Sequence, residues 1–342
     1  MQPYFYSPKI PDRLPADKTQ FLPDGVAHFK LLCQGRGLSQ VVSEALLRSI
    51  NPASLKSYCR HWTPFVTWLN SKKPRPHFSS VIICEYLLSK FNKNLSISTI
   101  NSIRSAIGFF TLNALDLEND ILSKRLFKHF YQIRPSQPKY STFWPVSKVL
   151  DLLKAWHPPS SLTLRQLTLK TVSLMALSSS DRGQTLNLVS LDNLVVDSDL
   201  KFVIKERIKT TRRVLRPTIV NCVTTDIEEL NVKDYVLFYI EATKDFRPES
   251  ERKLFISWKS YKNVTRPTLA RWLKTVLQLA GIDPHYGSHS YRGAGLSNAY
   301  FKGASIDQII KAGNWSSVST FKSFYCAPSS ESSIGRIILN DV

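Results

Sequence analysis

The chain has 342 residues, 46 of them basic and 26 acidic, which gives a net charge of +20. This excess predicts a polyanionic partner, either nucleic acid or an anionic membrane surface. Apolar runs are much shorter than a membrane span, and residues 1–11 contain no apolar stretch typical of a secretory signal. The five cysteines form no CxxC pair, so we expect free thiols in a reducing compartment and no zinc cluster.

The first half of the chain predicts a proline-rich arm followed by a small helical bundle. Apolar residues recur at helical spacing after Asn51-Pro52, and Pro64 within that run predicts a bend. Further helices are predicted over about residues 79–91 and 122–133, with another that begins near residue 96 or 98. Residues 1–150 hold 20 basic and 8 acidic side chains, so the positive charge belongs to the folded region and is not a tail.

Two prolines and few apolar residues mark residues 134–142 as a connection between two domains. Arg134 and Lys139 in this stretch are candidates for contacts with a phosphate backbone. We therefore divide the chain into an arm (1–25), a helical DNA-binding domain (26–133), a linker (134–144), a second domain (145–327) and a C-terminal tail (328–342).

The sequence of the second domain predicts several helices and a small sheet. Alternating and β-branched residues indicate strands at 194–196, 201–205 and 214–220, and 253–257 is a candidate for one more. The fold class that follows is mainly α with a small antiparallel β-sheet (α+β), in two domains. The helices are predicted at about 145–156, 161–178, 225–243, 266–280, 290–301, 305–312 and 316–325.

The sequence lacks the usual loops and ligand clusters for nucleotides and metals: it has no Walker A loop, no GxGxxG, no HExxH and no carboxylate cluster for magnesium. His285 and His289 have the four-residue spacing of a metal pair on a helix. Pro284 and Gly287 disfavour a continuous helix there, and no acidic ligand adjoins the pair. We therefore expect neither a metal nor a cofactor.

Basic and hydroxylic residues are the remaining candidates for chemistry. His289 and Arg292 form an HxxR pair at a predicted helix start, and a helix N-terminus also favours an anion. This pair is a candidate cradle for one phosphate. The other groups of interest are, in chain order, Arg182 after an apolar helix, Lys209 in the predicted hairpin before Pro217, and Tyr325 after the turn Gly313-Asn314-Trp315.

These four groups, in this order and on a chain of this charge, resemble the tyrosine site-specific recombinases. The resemblance covers residues 145–326, whereas the helical domain is similar to the family's core-binding domain in size and character only. The groups look most like those of the recombinases of DIRS-type retrotransposons, with Crypton-type elements as the near alternative. The resemblance implies a C-shaped clamp on double-stranded DNA. It also implies a homotetramer on paired sites that integrates or excises a transposable element through a Holliday junction, in the nucleus of a eukaryotic host.

The resemblance assigns a role to each candidate. Arg182 and Arg292 would bind the non-bridging phosphate oxygens, and Tyr325 would attack the phosphorus to form a 3′-phosphotyrosyl intermediate without metal or ATP. Lys209 would protonate the departing 5′ oxygen, with Lys205 as the alternative if the hairpin register is shifted. Further candidates are His289 as a phosphate ligand or helper in deprotonation, Trp315 as an N–H donor and apolar shelf, and Arg207, Arg212 and Arg213 as DNA backbone contacts.

The sequence departs from the family pattern at two places. Ten residues lead from Trp315 to Tyr325, one more than is common, and the usual position holds Phe324, which has no hydroxyl. One extra residue rotates a helical position by about 100°, so we expect the local turn to adjust. The acidic residue that often follows the first arginine is Thr185 here. We expect the active site to be intact despite both departures.

Other interpretations stay open at this point. Each residue alone has an ordinary structural explanation, such as a core tryptophan at Trp315, and only the joint pattern favours catalysis. The alternatives are an inert DNA-binding protein derived from a recombinase, and a DNA-relaxing enzyme similar to type IB topoisomerases. A membrane-surface role is disfavoured because no amphipathic helix gathers the basic residues. The apolar residues of the tail predict that it docks on a neighbouring protomer, or else packs on its own domain.

Overall fold

The structure is a computed structural model that describes residues 21–135, 137–197, 200–208, 217–315 and 317–326. The chain divides into two compact units, Met1–Gln137 and Pro138–Val342. Most of the predicted arm, the whole of the tail 328–342, and Lys209, Arg212 and Arg213 lie outside the described residues. Among the described helices, none is long and apolar enough to cross a membrane.

The described part of the first unit is helical, and polar side chains set the helix starts. The side chains of Asp24, Ser39, Asn51, Ser96 and Asp120 accept backbone N–H groups at five of the six N-termini, which satisfies donors that have no partner inside the helix. The helices are α1 (Gly25–Gly35), α2 (Gln40–Arg48), α3 (Pro52–Ser71), α4 (Ser80–Asn92), α5 (Ile97–Phe110) and α6 (Ile121–Ile133).

Aromatic packing holds these helices together around Trp62. Its indole Nε1 donates a hydrogen bond to the Leu22 carbonyl oxygen at 2.9 Å, and its ring stacks on buried His28 with centroids 4.9 Å apart. Burial lowers the pKa of His28 to about 4, so this imidazole is neutral at physiological pH and packs as a core residue. Helix α3 continues through Pro64.

The second unit contains eight helices and three strands within its described residues. The helices are α7 (Val146–Ala155), α8 (Leu164–Ser179), α9 (Gly183–Leu188), α10 (Val232–Thr243), α11 (Arg266–Leu279), α12 (Ser290–Phe301), α13 (Ile306–Ala312) and α14 (Val318–Phe324). The strands are β1 (Leu194–Val196), β2 (Leu200–Ile204) and β3 (Thr218–Cys222).

Helix α8 lies at the centre of the second unit. It starts with a capping box between Thr163 and Gln166, and residues 167–176 are all buried. Helix α8 is buried on all sides because it is surrounded by α10, α11, α12 and strand β3. The buried Lys170 ammonium is satisfied by a hydrogen bond to the Trp156 carbonyl oxygen (2.6 Å) and by the Tyr235 ring 3.7 Å away, and burial lowers its pKa to about 8.

The three strands form an antiparallel sheet in the order β1-β2-β3, with Phe202 opposite Leu194 on one side and Val220 on the other. Leu200, Phe202 and Ile204 alternate onto the buried face, as the period of two residues requires. The predicted fold class, mainly α with a small antiparallel sheet, is confirmed.

The predicted strand at 253–257 is wrong. Leu254, Phe255 and Ile256 are buried, but only isolated bridges form there, from Lys253 to Ser190 and from Ile256 to Asn263. Scattered backbone bonds and side chains together take the place of a strand ladder. The Leu254 N–H donates to the Val189 carbonyl oxygen, and the Val264 N–H donates to the Phe255 carbonyl oxygen. The Arg247 guanidinium donates to the carbonyl oxygens of Lys253 and Leu254, and the Ile256 N–H donates to the Tyr239 hydroxyl. The predicted helix 225–243 is also shorter, since α10 begins only at Val232 after a 3₁₀ turn at Glu228–Leu230.

Candidate active site

The turn between α8 and α9 carries the first candidate arginine. Ser180 ends α8 in the left-handed conformation, with φ of 51°, which is uncommon outside glycine. The Asp181 N–H then donates to Ser179 Oγ at 3.2 Å, and Arg182 is extended at the start of α9. The chain thereby leaves the buried helix abruptly, and Asp181 and Arg182 line a cleft beside it.

Helix α12 supplies the second candidate arginine, and a glycine lets it approach the end of α8. A Cβ at Gly295 would lie 3.3 Å from Ser180 Oγ and 3.5 Å from the Leu177 carbonyl oxygen, so α12 runs close to the end of α8 at this position. Arg292 is only 6% exposed, and its Nη1 donates to the Ser180 carbonyl oxygen at 2.8 Å. Its Nη2 donates to the Gly313 carbonyl oxygen.

Arg292 keeps one donor without a partner. Its Nε is buried and has no hydrogen-bond acceptor among the described residues, although a buried donor normally has one. Burial and the nearby positive charge of Arg182 lower the pKa of Arg292 to about 10, and Tyr325 and Asp181 oppose this shift. The guanidinium therefore stays charged at neutral pH.

Trp315 and Tyr325 cover the same guanidinium. The Arg292 Cζ atom lies 4.5 Å from the Trp315 ring centroid and 5.9 Å from the Tyr325 ring centroid, and the two rings are 4.7 Å apart. A Cβ at Gly313 would overlap the Trp315 ring, so glycine is required for the indole to fold back over this turn.

The end of α14 explains how a ten-residue spacing brings Tyr325 to Arg292. Helix α14 ends at Phe324, and Tyr325 follows as its C-terminal cap, with its carbonyl oxygen bound by Ser297 Oγ of α12. Because Tyr325 is outside the helix, the extra residue does not have to fit the helical rotation. Phe324 is 54% exposed, whereas the half-buried Tyr325 packs with Trp315 against Leu296 and Phe321.

One cleft is lined by three of the predicted site residues, Arg182, His289 and Arg292. Its volume is about 230 Å³, which is below the range of about 300–1,000 Å³ that is usual for drug-sized ligands. Trp315 and Tyr325 are not among its lining residues, but both rings contact the Arg292 guanidinium. Its other polar walls are Asp181, Ser288 and Arg266 at the start of α11.

Asp181 is a polar member of this cleft that the sequence patterns did not single out. Burial raises the pKa of its carboxyl to about 6, against the opposing charges of Arg292 and Arg182 and a hydrogen bond with Ser179. A carboxylate next to two arginines in a cleft is a common feature of functional sites. The available signal was an acidic residue directly before the candidate arginine and directly after a run of small polar residues that ends an apolar helix.

Several predicted contacts lie elsewhere. Lys205 and Arg207 are exposed just beyond the end of β2. Arg134 belongs to the packing of the first unit, because its guanidinium lies 3.6 Å from the Phe91 ring centroid and donates to the Phe91 carbonyl oxygen. Lys139 is exposed. The DNA contacts of these residues stay predictions, as do those of Lys209, Arg212 and Arg213.

The described residues contain no group of three or more His, Cys, Asp and Glu side chains that would suit a metal ion. His285 pairs with Asp283 (Nδ1 to Oδ1, 2.7 Å), whereas His289 begins α12 and lines the cleft. The two histidines that have metal-pair spacing in the sequence therefore belong to different local structures.

Replacement of Gly293 by alanine should destabilise the second unit. A Cβ at Gly293 would overlap the ring of buried Phe143, directly beside Arg292, and overpacking of a core costs about 1–3 kcal/mol. We expect a lower midpoint in urea unfolding for Gly293→Ala. The double variant Gly293→Ala/Phe143→Leu should regain part of the loss, and equal midpoints for Gly293→Ala and the wild type would disprove the predicted clash.

Comparison of the chain with known proteins identifies its fold. No protein-family model and no curated protein matches the sequence. Solved structures do match. XerH site-specific recombinase bound to difH substrate is 13% identical with a TM-score of 0.60, over 90% of this chain and 95% of that one. The Tn1549 transposon integrase in complex with transposon right end DNA is 10% identical with a TM-score of 0.54, over 93% and 98%.

The lambda integrase tetramer bound to a Holliday junction is 13% identical with a TM-score of 0.50, over 91% of this chain and 79% of that one. The match to these recombinases and integrases runs through both units, because it covers at least nine-tenths of the chain in each case. At these identities the likeness concerns the fold. The chain has the fold of the tyrosine recombinases, a helical unit followed by a mainly helical unit with a small antiparallel sheet.

Proposed function

We propose that this protein breaks and rejoins DNA strands through a covalent link to Tyr325, as a site-specific recombinase of a mobile genetic element. One observation carries the proposal: a buried, charged Arg292 is held by two carbonyl oxygens, lines the cleft together with Arg182, and packs against Trp315 and Tyr325. A phosphodiester anion suits the joint positive charge of Arg292 and Arg182.

The chemistry follows from the positions of these groups. The phosphate would sit between Arg182 and Arg292, whose charges stabilise the extra negative charge of the transition state. The Tyr325 oxygen forms a bond to phosphorus, its proton passes to His289 or solvent, and the bond from phosphorus to the 5′ oxygen breaks. The product is a 3′-phosphotyrosyl ester and a free 5′ hydroxyl. A 5′ hydroxyl of another strand reverses the reaction, so rejoining needs no external energy source.

Lys209 is proposed as the acid that protonates the departing 5′ oxygen. We expect Lys209→Ala to slow cleavage by about 10²–10⁴-fold, the usual contribution of a general acid. A substrate with sulfur in place of the 5′ bridging oxygen should be cleaved at nearly the same rate by both proteins, because a thiolate leaves without a proton. Equal loss on both substrates would contradict the role, and a loss confined to Lys205→Ala would move it to the alternative lysine.

The assembly, the type of mobile element, the nuclear location and the domain boundaries belong to the same proposal. The lambda integrase structure is a tetramer on a Holliday junction, and it supports a tetramer on paired sites here. Resemblance to DIRS-type or Crypton-type recombinases supports a transposable element and work in the nucleus. The proposed domains are a core-binding domain over residues 26–133 and a catalytic domain over residues 145–327.

Covalent trapping tests the function. The full chain is incubated in EDTA with nicked duplexes from the ends of the candidate element, and the mixture is denatured and separated by size. We expect a protein–DNA adduct that resists denaturation, and peptide mapping should place the DNA on Tyr325. Tight binding to these ends without any adduct would favour an inert DNA-binding protein. Relaxation of supercoiled plasmid of unrelated sequence would favour a topoisomerase-like enzyme.

A further inference from the structure

Among the described residues, Asp181 is the one carboxyl group in the polar wall of the cleft, and it forms no salt bridge with them. It follows the left-handed Ser180, whose carbonyl oxygen holds Arg292, and it precedes Arg182. Despite two nearby arginines, none of the salt bridges among the described residues involves Asp181. Its carboxyl is therefore close enough to balance the guanidinium charges but does not bind them.

The charge around Asp181 changes when an anion enters the cleft. Without an anion, the two guanidinium groups repel each other, and the Asp181 carboxylate offsets part of this repulsion. With a phosphodiester between the arginines, the same carboxylate faces a second negative charge in a partly buried cleft, where electrostatic interactions are strong. A proton on the carboxyl group removes that repulsion.

We propose that Asp181 is a positioning residue for Arg182 and Arg292, which balances their charge in the empty cleft and takes up a proton when a phosphodiester anion binds. The proposal rests on the proposed function, since it takes DNA phosphate as the anion. It gives the chain an acidic partner for its arginines directly before Arg182, whereas the position three residues after Arg182 holds the buried Thr185.

The direction of the pH effect follows from linkage. Burial already places the pKa of Asp181 at about 6, and a bound anion raises it further, so the complex holds more protons than the free protein above pH 6. DNA affinity must then fall as the pH rises from about 6 to about 8. The other charged or titratable side chains that line the cleft are Arg182 on the turn, Arg266 on α11, His289 at the start of α12, and Tyr291 and Arg292 on α12. Tyr325 after α14 contacts Arg292.

The variant Asp181→Asn tests whether Asp181 causes the pH dependence of DNA affinity. We expect wild-type affinity for a labelled DNA duplex, measured by fluorescence anisotropy in EDTA, to fall at least about fivefold between about pH 6 and pH 8. Asp181→Asn should change less than about twofold over the same range and bind more tightly than the wild type at pH 8. A change that merely damaged the fold would weaken binding at both pH values.

Two controls identify the titrating group. Asp307→Asn removes an exposed carboxylate on α13 outside the cleft and should leave the wild-type pH dependence unchanged. His289→Gln removes the histidine of the cleft, and the difference between Asp181 and Asn should persist in that background. Parallel pH dependence of wild type and Asp181→Asn overturns the proposal.

The same samples, once denatured, report covalent adduct, which keeps the two proposals distinguishable. A flattened pH dependence in Asp181→Asn with no adduct in any protein supports the role of Asp181 in anion binding and counts against cleavage. Adduct formation with parallel pH dependence supports cleavage and rejects the role of Asp181. If both proposals hold, Asp181→Asn should form adduct at nearly the wild-type rate at pH 6, because the Asp181 carboxyl is already protonated and neutral in the bound complex.

Discussion

Tyr325→Phe should form no covalent adduct with DNA, while its affinity for DNA stays within about twofold of the wild type. The hydroxyl is the only group lost, and the phenylalanine ring can keep the contact with Trp315, where the centroids are 4.7 Å apart. The carbonyl oxygen of residue 325, bound by Ser297, is also unchanged. The measurement compares adduct yield after denaturation with anisotropy before it, on the same duplex.

The neighbouring phenylalanine provides a matched control. Phe324→Leu removes an aromatic ring that is 54% exposed at the end of α14, and we expect adduct formation to continue at nearly the wild-type rate. The swap Phe324→Tyr/Tyr325→Phe should stay inactive, because a hydroxyl on residue 324 belongs to the helix and not to the turn beside Arg292. Activity in the swap would assign the nucleophile to the common family spacing.

An adduct that survives Tyr325→Phe would move the nucleophile to another tyrosine. Tyr291 lines the cleft, but it is buried, its hydroxyl donates to the Leu273 carbonyl oxygen at 3.2 Å, and burial raises its pKa. Tyr300 is half-buried, and its ring packs edge-on against Phe321 with centroids 5.4 Å apart. Neither contacts Arg292 as Tyr325 does, so the structure favours Tyr325.

Local patterns predicted most of the secondary structure correctly because burial and capping act over short stretches of chain. Helix α12 was predicted over residues 290–301 and spans Ser290–Phe301. The predicted strand at 253–257 is wrong because partners from outside this stretch decide its structure. A buried apolar run looks the same whether a strand or a side chain such as Arg247 satisfies its carbonyl groups, and Arg247 comes from outside the run.

The sequence predicted which residue types line the cleft but not how they are held. The acceptors of Arg292 are the carbonyl oxygens of Ser180 and Gly313, and any residue type has such an oxygen. Their placement depends on a left-handed Ser180 and on a turn in which Trp315 folds over Gly313. These features come from tertiary packing, which a pattern of residue types does not encode.

Two further features were not predictable from residue patterns: the burial of Asp181 and the position of Tyr325. The burial of Asp181 depends on the meeting of the α8–α9 turn with α12, two segments more than a hundred residues apart in the chain. The spacing problem at Tyr325 arose from the assumption of a helix through residue 325, whereas α14 ends one residue earlier. Helix ends are the least predictable part of an element, since a single cap decides them.

Arg292→Lys should lose adduct formation by at least about 10²–10³-fold, even though the charge is kept. The guanidinium binds two carbonyl oxygens, stacks on Trp315 and lines the cleft together with Arg182. A lysine ammonium is a point charge with no planar face, so it cannot make these contacts together. Adduct yield over time on a nicked duplex measures the loss.

Arg292→Lys should also lower stability, because at least one of the two buried carbonyl oxygens loses its partner at a cost of about 1–3 kcal/mol. Arg182→Lys is the matched control. Among the described residues, the Arg182 side chain has no hydrogen bond or salt bridge, so its replacement should leave the urea midpoint unchanged and still impair cleavage. If Arg292→Lys kept both stability and cleavage, Arg292 would be neither a phosphate ligand nor the residue that joins α8, α12 and the Gly313 turn.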